Sequence, residues 1–231
     1  MNIKVIIPAF NEEQSIGKVI SDIPRIVSEI ILVDNNSTDT TSEVARKAGA
    51  TVLLEKQKGY GYACLKGMEY ISHFDSAHRP DIIVFLDGDY SDYPEELTNI
   101  VAPIIQEDID FVVGARVMEL RENGSMTMPQ IFGNWLATSL MKLFFNSTFT
   151  DLGPFRAIKY NKLLALDMED KTYGWTVEMQ LKALKRNYSY REIPVPYRNR
   201  IGVSKVSGTV KGAIFAGGKI LGWIFKYSVK K

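Results

Sequence analysis

Apolar residues along the first 115 positions follow two alternating rhythms. Short unbroken runs occur at 3–7 (IKVII), 29–34 (EIILVD), 51–55 (TVLLE), 81–87 (DIIVFLD) and 110–116 (DFVVGAR). Runs of this kind read as strands hidden on both faces of a sheet. Between them the spacing turns helical: Ile16, Val19, Ile20 and Ile23; Val44, Ala45 and Ala48 before a stop at Gly49; residues 62–72; and a helix opened by Pro94, Glu95 and Glu96. Asn11 and Gln14 resemble a capping pair for the first helix. The alternation predicts an α/β fold, a mostly parallel Rossmann-like sheet with helices on both faces.

The second half has a different texture. MPQIFGNWLATSLMKLFF (128–145) predicts a long apolar helix, FRAIK (155–159) a returning strand, and WTVEMQLKALKRN (175–187) an amphipathic helix with Val177, Leu181 and Leu184 on one face. YREIPVPYRNR (190–200) reads as an extended edge segment, because Pro194 and Pro196 offer no ladder donor. The C-terminal stretch carries Phe215, Ile220, Trp223, Ile224 and Tyr227 among Lys211, Lys219, Lys226, Lys230 and Lys231. As a helix it suits the plane of an anionic membrane surface; the plain alternative is a helix packed on the domain or on a second subunit. No run reaches the ~18–20 apolar residues of a membrane span. The N-terminus starts a strand and lacks a secretory signal, so a soluble, cytoplasm-facing protein is expected, with peripheral contact at the inner face of the membrane through that helix.

Composition removes several classes. The 28 basic and 27 acidic residues leave a net charge of +1, without the field of a nucleic-acid binder. A single cysteine, Cys64, excludes an internal disulfide and a multi-cysteine zinc site. GYG at 59–61 is not a dinucleotide fingerprint, since Cys64 stands where its third glycine belongs; a turn that seats a nucleoside or starts a helix is expected.

Candidate chemistry collects where the strands end. In an open parallel sheet, ligands bind beyond the carboxyl ends of the strands. Those ends here read PAFNEE, VDNNSTDTT and LDGDYS, all rich in polar oxygen. Asp87 and Asp89 are spaced so that both carboxylates can approach one cation, and Gly88 between them leaves room for a ligand against the backbone. Hard oxygen donors suit Mg²⁺ or Mn²⁺ shared with substrate phosphates. By itself an Asp-x-Asp is common; its position at the end of a core strand is what distinguishes this one.

Taken in order, VIIPAFNEE, ILVDNNSTDTT, KGYGYACLKG, FLDGDYS and VGAR resemble family 2 glycosyltransferases of GT-A fold, and DLGPFRAI, YGWTVEMQLKALKRNY and RIGVSKVSG are most similar to the dolichyl/polyprenyl-phosphate mannosyl- or glucosyltransferase branch. The resemblance implies a single GT-A domain over 1–208, with a nucleotide-sugar half (1–116) and an acceptor half (117–208), followed by an amphipathic helix at 209–231. It implies nucleotide-sugar contacts from Pro8, Phe10, Glu12, Val33, Asp34, Asn35, Asp87, Gly88, Arg116, Arg200 and Lys205, and a metal held by Asp87, Asp89 and Ser91. Relatives often carry Asp where Asn35 stands. The implied reaction is metal-dependent inverting transfer from a GDP- or UDP-hexose to a polyprenyl phosphate or other lipid-linked acceptor. One departure is expected to matter. The Arg and Ser that precede the apolar helix in polyprenyl-phosphate relatives are absent from MTMPQIFGNWLA, which leaves Arg156 as a substitute. A hydroxyl acceptor, as in polysaccharide or glycolipid synthesis, would need a general base, for which Asp151 and Glu178 are the candidates. Glu178, between Val177 and Met179, is expected to be desolvated; the plain alternatives are that Asp151 caps a turn and that Glu178 pairs with a nearby Lys or Arg. Outside this class stand a catalytically inactive nucleotide-binding or membrane-complex scaffold, and a nucleotidyltransferase, which should carry a glycine-rich turn where PAFNEE has none. A homo-oligomer is compatible with all of these readings.

Overall fold

The computed structural model describes residues 1–202 and 210–229, except the side chains of 210–214. Lys205 therefore lies outside the described residues, as do Lys230, Lys231 and the side chain of Lys211. The predicted alternation is present: β1 (Ile3–Ala9), α1 (Ile16–Asp22), β2 (Glu29–Asp34), α2 (Thr41–Lys47), β3 (Thr51–Leu54), α3 (Tyr60–Ser72), β4 (Ile82–Phe85), α4 (Leu97–Glu107) and β5 (Phe111–Ala115). Then follow α5 (Met128–Phe145), β6 (Arg156–Lys159), α6 (Tyr160–Leu166), α7 (Trp175–Lys185), β7 (Tyr190–Pro194) and α8 (Val210–Val229). Pro94–Glu96 forms a short 3₁₀ turn ahead of α4.

One sheet runs in the order β3-β2-β1-β4-β6-β5-β7, and only β6 is antiparallel to its neighbours. Successive residues of each strand point to opposite faces. Val5, Ile7, Ile82 and Val84 therefore pack with α1, α2 and α4, while Ile6, Ile83 and Phe85 pack with α3, α5, α6, α7 and α8. Both faces are covered, so the central strands are apolar apart from Lys4, paired with Glu29, and Arg156, whose guanidinium backbone carbonyls enclose.

The reversal at β6 has a consequence for chemistry. Because Phe85 pairs with Arg156, the chain entering β6 arrives beside the carboxyl end of β4. Segment 151–155 from the second half thus meets Asp87 and Asp89 from the first.

Three expectations change. Asn11 and Gln14 do not cap α1: Asn11 adopts a left-handed φ of 56° and its Oδ1 accepts the Thr38 N–H, and the helix starts after Ser15. The reciprocal capping box sits instead at Thr127 and Gln130, ahead of α5. α7 is buried almost all round, Gln180 and Lys182 included, because α5, α6 and α8 enclose its far side. A β-carbon on Gly88 would face Ala9 and Ile16 at 3.4 and 3.5 Å, so its bare side turns to packing and not to a ligand.

Candidate active site

Beyond the carboxyl ends of β1, β2 and β4 lies a cavity of about 650 Å³, within the size range of small-ligand sites. At one end it is lined by Pro8, Phe10, Glu12, Asn35, Lys58, Tyr60, Asp87, Gly88, Asp89, Arg116 and Arg200. A hollow of similar volume at the amino ends of β1 and β2 holds the Lys4–Glu29 ion pair and none of the strand-end carboxylates.

The two aspartates are held from behind. Ser15, just before α1, donates its hydroxyl to the Gly88 carbonyl at 2.8 Å. Tyr60 Oη donates to Asp87 Oδ1 at 3.0 Å. Asp89 Oδ1 accepts both the N–H and the hydroxyl of Ser91, so Ser91 is buried behind Asp89 and does not line the cavity. Burial, and then the Asp89 carboxylate, push the Asp87 carboxyl up to about 7. Asp92, buried and outside the cavity lining, has no hydrogen-bond partner for either carboxylate oxygen among the described residues; burial and the charges of Asp87 and Asp89 push its carboxyl well up. No local sequence pattern marks Asp92 or Tyr60 for these places, which are set by contacts distant in the chain.

This crowding of acids is answered by arginine. Arg200 Nη1 lies 3.1 Å from Asp89 Oδ2 and its Nη2 lies 3.0 Å from Glu12 Oε1. A guanidinium thus already bridges carboxylates that follow β1 and β4, so the electrostatics of this end favour a cation. Among the described residues no group of three or more His, Cys, Asp or Glu side chains is placed to hold a metal ion. Two carboxylates fit a divalent cation that takes its remaining ligands from substrate phosphates and water.

Other candidates take up different places. Val33 is fully buried in the core, and Asp34 is consumed by the Ser37 N–H and the Ser42 hydroxyl. Arg116 lines the cavity but is gripped by Asp151, Nε to Oδ2 at 2.8 Å and Nη2 to Oδ1 at 2.7 Å. Glu178 is fully buried, 2.7 Å from Lys182 Nζ, and accepts the N–H groups of Glu169 and Asp170; it does not reach the cavity. Arg156 is fully buried too, donates to the carbonyls of Leu152, Gly153 and Thr176, and its guanidinium is brought down to about 10 by burial. It is not available to an acceptor phosphate, which corrects the expectation that it could replace the missing arginine.

Asn35 explains its own departure from aspartate. Its amide donates to the carbonyls of Glu55 at 3.2 Å and Gln57 at 2.6 Å, while its oxygen accepts the Gly59 N–H at 2.7 Å. Only a neutral amide can serve both sides. Asn35→Asp should therefore loosen residues 55–59, with a stability loss of about 1–3 kcal/mol visible in chemical denaturation; an unchanged midpoint would contradict this account.

The family model for glycosyl transferase family 2 matches residues 4–164. The chain belongs to that family. The transferase is 33% identical over 230 residues to the dolichyl-phosphate hexose transferase of Haloferax volcanii, covering 96% of this chain and 91% of that protein. Its fold matches crystal structures of glucosyl-3-phosphoglycerate synthase from Mycobacterium tuberculosis. One, with Mn²⁺, UDP and phosphoglyceric acid, gives a TM-score of 0.77 at 20% identity and covers 100% of this chain and 79% of that one. Another, with Mg²⁺ and UDP, gives 0.74 at 20% identity, covering 98% and 79%. The sheet of the transferase is thus a GT-A sheet, as the sequence resemblance implied.

Proposed function

We propose that this transferase moves a hexose from a nucleoside-diphosphate sugar, GDP- or UDP-linked, to a polyprenyl phosphate, with inversion at the anomeric carbon. The observation that carries this reading is the two-sided character of the cavity. Its acidic and basic groups cluster at the strand ends, whereas the far side has no charged lining side chain and mixes Met126, Pro129, Leu136, Leu152, Ile220 and Leu221 with the neutral Thr127, Gln130 and Asn134. These come from α5 and the turn ahead of it, from α8, and from the segment before β6. Such a wall suits an isoprenoid tail.

The chemistry supports the same acceptor. The acidic side chains lining the cavity are Glu12, Asp87 and Asp89, all at the donor end. Asp151 and Glu178 are both committed to buried cations. A sugar hydroxyl would need a base that the acceptor end does not offer, but a phosphate monoester is already ionised and needs only positioning. In the transfer, an acceptor phosphate oxygen forms the new bond to the anomeric carbon as the bond to the nucleoside diphosphate breaks. Mg²⁺ or Mn²⁺ at Asp87 and Asp89 would supply charge neutralisation for the departing diphosphate. Tyr60 and Ser91 hold those carboxylates in place, and Arg116 and Arg200 set a positive field beside them. The dolichyl-phosphate hexose transferase relative supports the acceptor class, and the UDP and Mn²⁺ or Mg²⁺ of the fold neighbours support the donor class.

The surface supports peripheral membrane contact. Every exposed phenylalanine and tryptophan among the described residues lies on α5 or α8: Phe132, Trp135, Phe144, Phe215 and Phe225. Among the described residues no helix is long and apolar enough to cross a membrane. Aromatic faces next to Lys142, Lys219 and Lys226 suit an anionic lipid surface.

The test is a thermal-shift series with UDP, GDP and their hexose conjugates, with and without Mn²⁺, followed by transfer to polyprenyl phosphate and to a free sugar. One nucleotide should raise Tm only when Mn²⁺ is present. Because metal binding requires a deprotonated Asp87, the Mn²⁺-dependent shift should grow as pH rises through about 7. Transfer to the sugar and not to the lipid phosphate would sink the acceptor assignment.

A further inference from the structure

The cavity wall also contains a brace that the transfer reaction itself does not explain. Residues 167–174, between α6 and α7, carry Thr172 and Tyr173 into the cavity lining. This loop is organised by one carboxylate, Asp170, which is 2% exposed. Its Oδ1 accepts the N–H groups of Thr172 at 2.7 Å and Gly174 at 3.0 Å, which closes the turn. Its Oδ2 looks the other way, to α8: Trp223 Nε1 donates to it at 2.6 Å and Lys219 Nζ lies 3.3 Å away. Gly174 is needed where the indole lies, since a β-carbon there would come within 2.4 Å of the ring.

The loop's backbone then bears on the start of α3. The Lys171 carbonyl accepts the Tyr62 N–H at 3.1 Å. β-carbons on Gly59 and Gly61 would meet the carbonyl oxygens of Lys171 and Asp170 at 2.2 and 2.0 Å, so both glycines exist to let the two backbones touch. Between those glycines sits Tyr60, whose hydroxyl holds Asp87. The contacts therefore run without a gap from Trp223 on α8, through Asp170 and the loop backbone, to the first turn of α3 and on to Asp87. Glu178, by accepting the Glu169 and Asp170 N–H groups, anchors the same loop from beneath.

We propose that Asp170 is a positioning residue for sugar transfer, fastening α8 to the loop so that Tyr60 keeps Asp87 in its metal-binding orientation. This rests on the proposed function, and it adds that the helix walling the acceptor side sets the quality of the donor side. Coupling of this kind needs a demonstrated energetic link and not adjacency alone.

Two variants break the same bond from opposite ends. Asp170→Asn keeps an oxygen for the Thr172 and Gly174 N–H groups but presents an amide donor to the indole N–H and to Lys219. Trp223→Phe keeps an aromatic ring and removes the donor. Each should lower kcat by about tenfold and raise the half-saturating Mn²⁺ concentration at least threefold, in protein that is still folded by circular dichroism at the assay temperature. The double variant should be no worse than the poorer single one, as expected for one shared interaction. Lys66→Ala, which removes the exposed 2.9 Å contact to Glu69 on α3, should leave both values unchanged. A wild type that answers to Mn²⁺ and nucleotide, alongside variants that lose only Tm, would overturn the inference and leave the proposed function standing. A wild type with no nucleotide response in any Mn²⁺ condition would remove both.

Discussion

Replacing Asp89 with alanine is expected to lower turnover by on the order of 10³-fold or more, because in the proposed reaction the several kcal/mol that stabilise a departing diphosphate would pass through this carboxylate. The fold should survive. Asp89 is one of three close acids, with Asp87 and Asp92 raised partly by its charge. Its removal relieves that repulsion while it deprives Ser91 and Arg200 of a partner. Arg200 keeps its contact with Glu12. These opposing changes should hold Tm to within about 5 °C of the wild type. The loss should fall on kcat and on the Mn²⁺-dependent thermal shift together. Retention of more than about a tenth of wild-type activity by the folded variant would refute the role assigned to Asp89.

That prediction draws on features the sequence made legible, and the reason is physical. Parallel strands covered on both faces are apolar along most of their length, with Lys4 of β1 tolerated through its pair with Glu29, so β1, β2, β4 and β5 are visible as runs. A polar cluster at their ends then has few explanations other than a ligand. What stayed hidden was set by contacts far apart in the chain. Tyr60 meets Asp87, and Trp223 meets Asp170, across separations that no local pattern encodes. Local inference also erred where burial was supplied from elsewhere. The amphipathic pattern of α7 gives Lys182 no place in the core, yet it is buried against Glu178 and the Asp167 carbonyl, and Glu178 is desolvated and paired with a lysine as two of its readings had it. Arg156 read as a free cation, but backbone carbonyls enclose it. The glycine pair at 59–61 reads as a turn that seats a nucleoside or starts a helix, whereas the close approach of residues 170–171, which demands glycine there, is set by the three-dimensional structure.

Asp151→Asn should produce the largest loss of stability among the site variants. Arg116 and Asp151 form a bidentate pair with side chains 11% and 6% exposed, and Asp151 also accepts the Arg116 backbone N–H at 2.8 Å. Breaking a buried pair from one side strands the remaining charge and costs about 3–5 kcal/mol, a Tm decrease on the order of 10 °C for a chain of this size. The pH dependence gives the sign. Burial alone would raise the Asp151 carboxyl, but Arg116 overcomes it and holds the group below the usual carboxylate range. The stabilisation is therefore fully present above the unfolded value of about 3.9, and it disappears as pH falls through the lowered folded value. The gap in stability between wild type and variant should accordingly be constant from neutral pH to about 5 and close only in stronger acid. Adding Arg116→Met removes the stranded charge, while the amide oxygen introduced by Asp151→Asn can still accept the backbone N–H of position 116. The double variant should therefore recover most of the lost Tm. Its activity should stay low, because Arg116 lines the cavity and its charge is gone. If Asp151 were instead the general base for a hydroxyl acceptor, Asp151→Asn, assayed below its lowered Tm, would lose all transfer to a free sugar that the wild type carries out. That outcome would move the transferase out of the phosphate-acceptor class.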